Sequence, residues 1–180
     1  MNTRFKEVVN KLYHPPRTGE RQVIALSRAL AEKLPSLPTV AIISITAPDR
    51  RPADVAGFEH LLRLSFADVD FLSADLSLRA KQRAHQVFTV EHASQIYAFV
   101  QGLSDEIRTV VVHCEGGYSR SCAVAMALHE RFGYAAEVER LREANLSMLK
   151  VFSKGYVCIT CWGLGWPTAS HRHSKGLSPP

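Results

Sequence analysis

The stretch of sequence that decides the fold is residues 110–121, which read Val110-Val111-Val112-His113-Cys114-Glu115-Gly116-Gly117-Tyr118-Ser119-Arg120-Ser121. The consecutive β-branched valines predict a buried strand, and the apolar run at residues 122–128 predicts a buried helix soon afterwards. A strand that ends in a glycine-containing loop and enters a helix directs backbone N–H groups into one concave space, where the helix dipole favours negative charge. The sequence therefore predicts an oxyanion-binding loop between Cys114 and Arg120.

Two side chains at the ends of this loop predict its chemistry. The positive field at a helix N-terminus favours a thiolate over a thiol, and the thiolate is the nucleophilic form of Cys114. Arg120 carries a planar fork of donors that can hold two oxygens of a tetrahedral oxyanion. In the alternative interpretation, Cys114 is a core cysteine and Arg120 is a solvated charge, which leaves the glycines and the Arg-Ser pair without a role.

These residues match the motif H-C-x5-R-[ST] at every fixed position, from His113 and Cys114 to Arg120 and Ser121. Here the chain resembles the cysteine-dependent protein tyrosine phosphatases, and its G-Y-S-R-S ending is most similar to the small dual-specificity branch. The resemblance implies a single α/β domain with a central, mostly parallel sheet flanked by helices. It also implies an active site at the carboxyl end of the strand at residues 109–112.

The resemblance implies a role for each part of the loop. Cys114 would attack the phosphorus of a phosphomonoester and form a phosphocysteine. Ser121 would donate a hydrogen bond to the departing thiolate, and His113 would position the cysteine through backbone hydrogen bonding. The phosphate-binding residues would be Glu115, Gly116, Gly117, Tyr118, Ser119 and Arg120. Because arginine and backbone dipoles supply positive charge, we expect neither a metal ion nor another cofactor.

A general acid is predicted just after another strand of the sheet, the one predicted at residues 60–66. In the family that this chain resembles, an aspartate follows that strand, and the match falls on Asp68, with Asp70 as the near rival. The separation from Cys114 is longer than in compact members, which predicts an insertion within residues 69–90; a long surface loop adds little closure entropy. The alternative is that both aspartates only form polar turns.

Loop composition also bears on the substrate. Relatives that act on phosphoinositides or RNA 5′-phosphates carry extra basic residues in this loop, whereas this loop has the acidic Glu115. Like charge disfavours a second ligand phosphate, so we expect a phosphorylated protein substrate, with phosphotyrosine preferred and phosphoserine or phosphothreonine possible. Tyr118 either flanks the ring of phosphotyrosine or packs against the loop.

Three other functions compete with this interpretation. A non-enzymatic module that binds phosphorylated residues would have lost the function of Asp68. A rhodanese-like sulfurtransferase would use Cys114 as a persulfide carrier, which the H-C-x5-R-S form disfavours. Low-molecular-weight tyrosine phosphatases and arsenate reductases have their C-x5-R loop near the N-terminus, unlike this chain.

Hydrophobic periodicity predicts the remaining elements. Leu26, Leu30 and Leu34 share one helical face, which predicts a helix over residues 20–34. We also predict strands at residues 39–46 and 60–66, two helical pieces within residues 79–103 with Thr89 as a cap, a helix after Cys114 that ends near Gly133, and a helix over residues 137–145. The phosphatase domain is expected to span residues 1–154, with its core at 39–133, followed by a loosely ordered tail at 155–180.

Composition places the chain among globular proteins. Of its 180 residues, 46% are hydrophobic and 22% are charged, which suffices for one packed domain. The net charge of +5 comes from scattered lysines and arginines, so we expect no nucleic-acid partner. No secretory signal or apolar membrane span is visible, and we expect a cytoplasmic monomer that does not bind membranes.

The remaining cysteines have predicted roles outside the loop. Cys122 is either a small core residue or a thiol that resolves oxidised Cys114. Cys158 and Cys161 form a C-x-x-C pair without a partner pair, which makes a zinc or redox site the less favoured interpretation.

Overall fold

The computed structural model describes residues 3–16, 20–72 and 77–154, and within these ranges four parallel strands form one sheet. The strands are β1 (Gln22–Ser27), β2 (Val40–Thr46), β3 (His60–Ser65) and β4 (Thr109–Cys114). Their order is β1-β4-β2-β3, so β4 is paired on both sides. This arrangement confirms the predicted α/β fold with a parallel sheet.

Helices cover both faces of the sheet. On one face, Val110 and Val112 join a buried cluster with residues of three helices, and on the other face Val111 joins a cluster with the N-terminal helix. Such burial on both faces explains why β4 is a continuous apolar run. The helices are α1 (Thr3–Tyr13), α2 (Arg28–Ala31), α3 (Leu78–Gln82), α4 (Val90–Gln101), α5 (Arg120–Phe132) and α6 (Leu146–Lys154), with 3-10 turns at Ala84–Gln86 and Val138–Leu141.

The helix predicted over residues 20–34 is wrong. Residues Gln22–Ser27 form β1, which pairs in parallel with β4, and only the short α2 follows it. Leu26, on the strand, and Leu34, beyond the short helix, are buried in the same cluster, and Leu30 packs against it. The helical spacing of these leucines therefore reflects a shared core and not one continuous helix.

The helix predicted over residues 137–145 is also wrong. Only the 3-10 turn Val138–Leu141 forms there, and α6 begins at Leu146, directly after Asn145. The side chain of Asn145 accepts a hydrogen bond from the backbone N–H of Met148 at 3.1 Å, so Asn145 caps the next helix. A good N-cap residue thus lies at the start of a helix, where the sequence analysis had placed the end of one.

The other predicted elements are confirmed within one or two residues. β2 and β3 fall at the predicted strands, and α3 and α4 are the two helical pieces. The backbone N–H of Thr89 donates to His92 Nδ1, which makes Thr89 part of a capping box for α4. α5 ends at Phe132, where Gly133 adopts φ 68°.

Among the described residues, none of the helices has the length and apolar character needed to cross a membrane. The predicted tail at residues 155–180, with Cys158 and Cys161, lies outside the described residues, and so the predicted domain boundary stays a prediction.

Candidate active site

The centre of the site is the nucleophile loop, which we define as residues 114–120. It joins the end of β4 to the start of α5, and Cys114 is 1% exposed. Gly117 has φ +84°, and a Cβ at this position would lie 2.3 Å from the backbone nitrogen of Ser27 at the end of β1. Only glycine combines this backbone angle with so close an approach, so the loop is held by its own backbone against the neighbouring strand.

Two donors point at the sulfur of Cys114. The backbone N–H of Gly117 donates to Sγ at 3.3 Å, and the hydroxyl of Ser121 lies 3.2 Å from Sγ. Hydrogen bonds of this kind stabilise negative charge on an acceptor. The arrangement brings together Cys114 and Ser121, as the sequence analysis predicts.

His113 is fully buried beneath the loop. Its Nε2 lies 2.9 Å from the hydroxyl of Ser44 on β2, a contact that the sequence did not predict. Burial, assisted by the charge of Arg28, lowers the pKa of His113 to about 4, so the ring is neutral at pH 7. The backbone of Cys114 acts to raise this pKa, although Nδ1 has no hydrogen bond of good geometry within the described residues.

Arg120 connects the nucleophile loop to the acid loop, which we define as residues 66–72. The Arg120 side chain is 4% exposed, and its Nη1 donates to the carbonyl oxygen of Phe66 at 2.9 Å. Its Nε lies 3.5 Å from Oδ2 of Asp68, which is an ion-pair contact without hydrogen-bond geometry. The Arg120 guanidinium therefore contacts two residues at the start of the acid loop, Phe66 and Asp68.

Asp68 is the carboxylate that the fold brings to the nucleophile loop. Its Oδ1 accepts a hydrogen bond from the hydroxyl of Ser119 at 2.7 Å and another from the amide of Asn145 at 3.1 Å. Its side chain is 35% exposed, which leaves it accessible from the cleft. Asp68 thus lies beside both the nucleophile loop and Arg120.

Asp70 makes different contacts from those of Asp68. It accepts hydrogen bonds from the hydroxyl and backbone N–H of Ser147 and from the backbone N–H groups of Leu72 and Leu146. Burial acts to raise the pKa of Asp70, but these donors outweigh burial and hold the pKa below its usual value. The carboxylate fastens the acid loop to the N-terminus of α6, and among the described residues it has no hydrogen bond or ion pair with the nucleophile loop.

Glu115 and Tyr118 lie at the edge of the nucleophile loop. Glu115 Oε1 is 3.2 Å from Nη1 of Arg28, so the charge of Glu115 is partly compensated, which the sequence argument from Glu115 did not include. The Tyr118 side chain is exposed, and its ring lies so close to Gly116 that a Cβ there would overlap it. Tyr118 therefore packs against the loop.

Cys122 is a buried core residue on α5. Its sulfur lies 3.5 Å from the carbonyl oxygens of both Gly117 and Arg140. Burial raises the pKa of Cys122 to about 11, and the nearby Cys114 acts in the same direction. A thiol that keeps its proton at pH 7 is poorly suited to resolve an oxidised cysteine, so this environment favours the structural interpretation.

A cleft of about 250 Å³ opens onto Arg120 and Asp68. An ion pair of 2.6 Å between Arg83 and Asp49 joins two parts of its wall. The cleft is lined by Ala47, Asp49, Arg50, Asp68, Val69, Ser77, Ala80, Arg83, Glu115 and Arg120. A second cavity of about 240 Å³, beside α6, is almost wholly apolar and contains none of the predicted catalytic side chains.

Within residues 3–16, 20–72 and 77–154, no group of three or more His, Cys, Asp or Glu side chains lies close enough together to bind a metal ion. The sequence analysis missed three side chains that contact predicted site residues: Asn145, Arg28 and Ser44. Asn145 carried a recognisable signal, because asparagine is a preferred residue immediately before a helix. Arg28 carried none, because it lies at the start of α2, 87 residues from Glu115 in the sequence.

Comparisons with known proteins give matches only among solved structures. No family model matches the sequence, and no curated protein matches it. The chain is similar to a crystal structure of Tk-PTP in the active form, with 17% identity, a TM-score of 0.46, and coverage of 77% of this chain and 94% of that chain. It is also similar to PTPMT1 in complex with PI(5)P, with 16% identity, a TM-score of 0.45, and coverage of 76% and 91%.

Proposed function

We propose that this protein is a protein tyrosine or dual-specificity phosphatase that hydrolyses phosphomonoesters through a phosphocysteine at Cys114. The observation that carries the proposal is the convergence of three groups at the end of β4. Cys114 Sγ faces two hydrogen-bond donors, Arg120 begins the helix that follows, and Asp68 Oδ2 lies 3.5 Å from that arginine. These are the groups that nucleophilic attack, charge stabilisation and proton transfer require.

In the first step, the phosphate of the substrate occupies the nucleophile loop, where backbone N–H groups and the Arg120 guanidinium hold its non-bridging oxygens. The Cys114 thiolate attacks the phosphorus, the S–P bond forms, and the bond from phosphorus to the leaving oxygen breaks. Asp68 donates its proton to that oxygen, a contribution typically worth about 10²–10⁴-fold. Positioning by the rigid loop supplies much of the remaining acceleration.

In the second step, a water molecule attacks the phosphocysteine and transfers a proton to the carboxylate of Asp68. The S–P bond breaks, and inorganic phosphate and the thiolate are released. The Ser121 hydroxyl, 3.2 Å from Sγ, donates a hydrogen bond to the sulfur as its charge returns. Asp68 is then protonated again for the next substrate.

We propose a phosphorylated protein as the substrate, with phosphotyrosine preferred. Support comes from the lack of any cation other than Arg120 within residues 114–120. Two observations favour a polyanionic lipid as the competing substrate: Glu115 is paired with Arg28, and Arg50 and Arg83 line the cleft. PTPMT1 was crystallised with PI(5)P, so PI(5)P is the appropriate comparison. A cytoplasmic location and a monomeric state are part of the proposal and rest on composition.

The proposal is tested by measuring phosphate release from a phosphotyrosine peptide without added metal. We expect vanadate-sensitive turnover, a loss of roughly 10³-fold or more in Cys114→Ser, and a loss of roughly 10²-fold in Asp68→Asn. A phosphoserine peptide and micellar PI(5)P, assayed in parallel, rank the substrate classes. Faster turnover of PI(5)P would replace the protein substrate with a lipid.

Two outcomes would replace the enzyme class itself. Binding of the phosphotyrosine peptide without turnover in the wild type would indicate a phospho-residue binding module. Turnover of thiosulfate, with none of phosphomonoesters, would indicate a sulfurtransferase.

A further inference from the structure

The two oxygens of the Asp68 carboxylate have different surroundings. Oδ1 accepts hydrogen bonds from the hydroxyl of Ser119 and the amide of Asn145, at 2.7 and 3.1 Å. Oδ2 has neither of these donors, and it lies 3.5 Å from Nε of Arg120. Arg120 is also the side chain that would hold the phosphate, so the two carboxylate oxygens are not equivalent with respect to the cleft.

The orientation of the Asn145 amide is determined by its other contacts. Its Oδ1 accepts from the backbone N–H of Met148 at 3.1 Å, as the N-cap of α6, and its Nδ2 also donates to the carbonyl oxygen of Val69 at 3.2 Å. The flipped amide would direct its oxygen at a carbonyl oxygen and a carboxylate and would leave the helix N–H without a partner. Asn145 is 4% exposed, so water would not compensate for these losses.

A protonated carboxyl group must place its hydrogen on one of its two oxygens. A proton on Oδ1 of Asp68 would face the NH₂ group of Asn145, which can only donate, whereas the hydroxyl of Ser119 can also accept. Asn145 therefore disfavours a proton on Oδ1 more strongly than Ser119 does. Oδ2 is the oxygen that remains for the proton, because its 3.5 Å contact with Nε of Arg120 lacks hydrogen-bond geometry and it accepts no hydrogen bond there.

We propose that Asn145 is a positioning residue that directs the catalytic proton of Asp68 to Oδ2, with Ser119 in a supporting role. This inference rests on the proposed phosphatase function of the same site. When phosphate oxygens engage the guanidinium of Arg120, Oδ2 loses its ionic partner and carries the proton toward the leaving oxygen. The same amide donates to Val69 in the acid loop, so it orients both the carboxyl group and the backbone beside it.

The test is the leaving-group dependence of kcat in Asn145→Ser. Serine is also a preferred N-cap residue, so α6 keeps its cap, but the shorter side chain does not reach Asp68. We expect a loss on the order of 10- to 100-fold on phenyl phosphate, whose leaving group needs the acid, and a much smaller loss on p-nitrophenyl phosphate. In an Asp68→Asn background, the same substitution should cause no further loss, because the proton it positions is gone.

Ser147→Ala is the matched control at the same helix end. It removes the hydroxyl that donates to Asp70 and leaves the contacts of Asp68 intact, so any change in kcat should be equal for both substrates. Ser119→Ala is a second route to the same test should Asn145→Ser fold poorly, and we expect a smaller effect with the same substrate dependence.

The possible outcomes separate this inference from the proposed function. An inactive wild type would refute both. An active wild type with an equal loss on the two substrates in Asn145→Ser and Ser119→Ala, additive with Asp68→Asn, would refute the positioning role alone. A steeper leaving-group dependence that vanishes in the Asp68→Asn background would support it.

Discussion

The nucleophile loop and the acid loop reach the same guanidinium but are held in different ways. The nucleophile loop is held by backbone: it follows the doubly paired strand β4, lies against Ser27 through Gly117, and runs into α5. The acid loop is held largely by side chains, with Asp70 and Asn145 tying it to the start of α6. Backbone packing allows almost no displacement, whereas side-chain hydrogen bonds can be removed one by one. The comparison therefore predicts that one substitution in the nucleophile loop causes a large loss of activity. Substitutions in the acid loop should each cause a smaller loss.

Gly117→Ala should have the largest effect, because it breaks the loop that is held by its backbone. A Cβ would lie 2.3 Å from the nitrogen of Ser27 at a φ of +84°, so the loop must leave its anion-binding conformation. We expect a loss in kcat/KM on the order of 10²–10³-fold, as measured with p-nitrophenyl phosphate.

Gly133→Ala is the matched control, since Gly133 has φ +68° but no atom within 4 Å of an added Cβ. It should lower the free energy of unfolding by about 1 kcal/mol and leave activity unchanged. Full activity in Gly117→Ala would contradict the view that close backbone packing holds the nucleophile loop.

Burial of His113 on β4, beneath the nucleophile loop, should make the stability of the protein depend on pH. Its ordinary pKa of 6.5 falls to about 4 in the folded protein. Between pH 6.5 and pH 4, the His113 side chain is therefore protonated in the unfolded chain but neutral in the folded protein. Its contribution to stability is complete above pH 6.5 and is lost as the pH falls toward 4. At about 1.4 kcal/mol per pKa unit, the difference of about 2.5 units makes this contribution at most about 3.5 kcal/mol.

The measurement is urea denaturation from pH 7 to pH 4 in the wild type and His113→Gln. The difference between the two slopes isolates His113 from His92, whose pKa burial also lowers. Ser44→Ala removes the hydrogen bond to the ring but not its burial, so it should keep the wild-type slope. Equal slopes in the wild type and His113→Gln would show that burial of this ring does not control acid stability.

Asp70→Asn should have the smallest effect, because it loosens only one fastening of the acid loop. Loss of the charge at the start of α6 should lower the free energy of unfolding by about 1 kcal/mol at pH 7, with a few-fold decrease in kcat. Since the fold lowers the pKa of Asp70, the stabilisation exists above the ordinary value of 3.8 and disappears as the pH falls below it. Urea denaturation of the wild type and Asp70→Asn at pH 7 and at pH 3 measures the stability difference and its loss at low pH. Turnover of p-nitrophenyl phosphate measures the change in kcat.

Asp105→Asn serves as the control, because Asp105 is fully exposed and its contact with Arg21 is a surface ion pair of 3.7 Å. It should change neither stability nor kcat. If Asp70→Asn instead abolished turnover with unchanged stability, Asp70 would be the general acid and Asp68 would not.

Elements that are specified by contiguous residue patterns could be predicted from the sequence. Elements that depend on pairing with a strand distant in the sequence could not. The valine run, the glycines and the apolar residues after Ser121 predicted β4, the loop and α5 almost to the residue. β1 was mistaken for a helix because three leucines with helical spacing share one cluster, and only the parallel pairing with β4 makes the segment a strand.

The sequence by itself determined the residue types and the backbone path of the nucleophile loop, since strand, glycine and helix signals there are contiguous. Only the tertiary structure decided how the two aspartates differ and which side chains surround them. Asn145 is 77 residues from Asp68, and Arg28 is 87 residues from Glu115. Such contacts depend on how α6 and β1 pack against the sheet, and no local propensity encodes that packing.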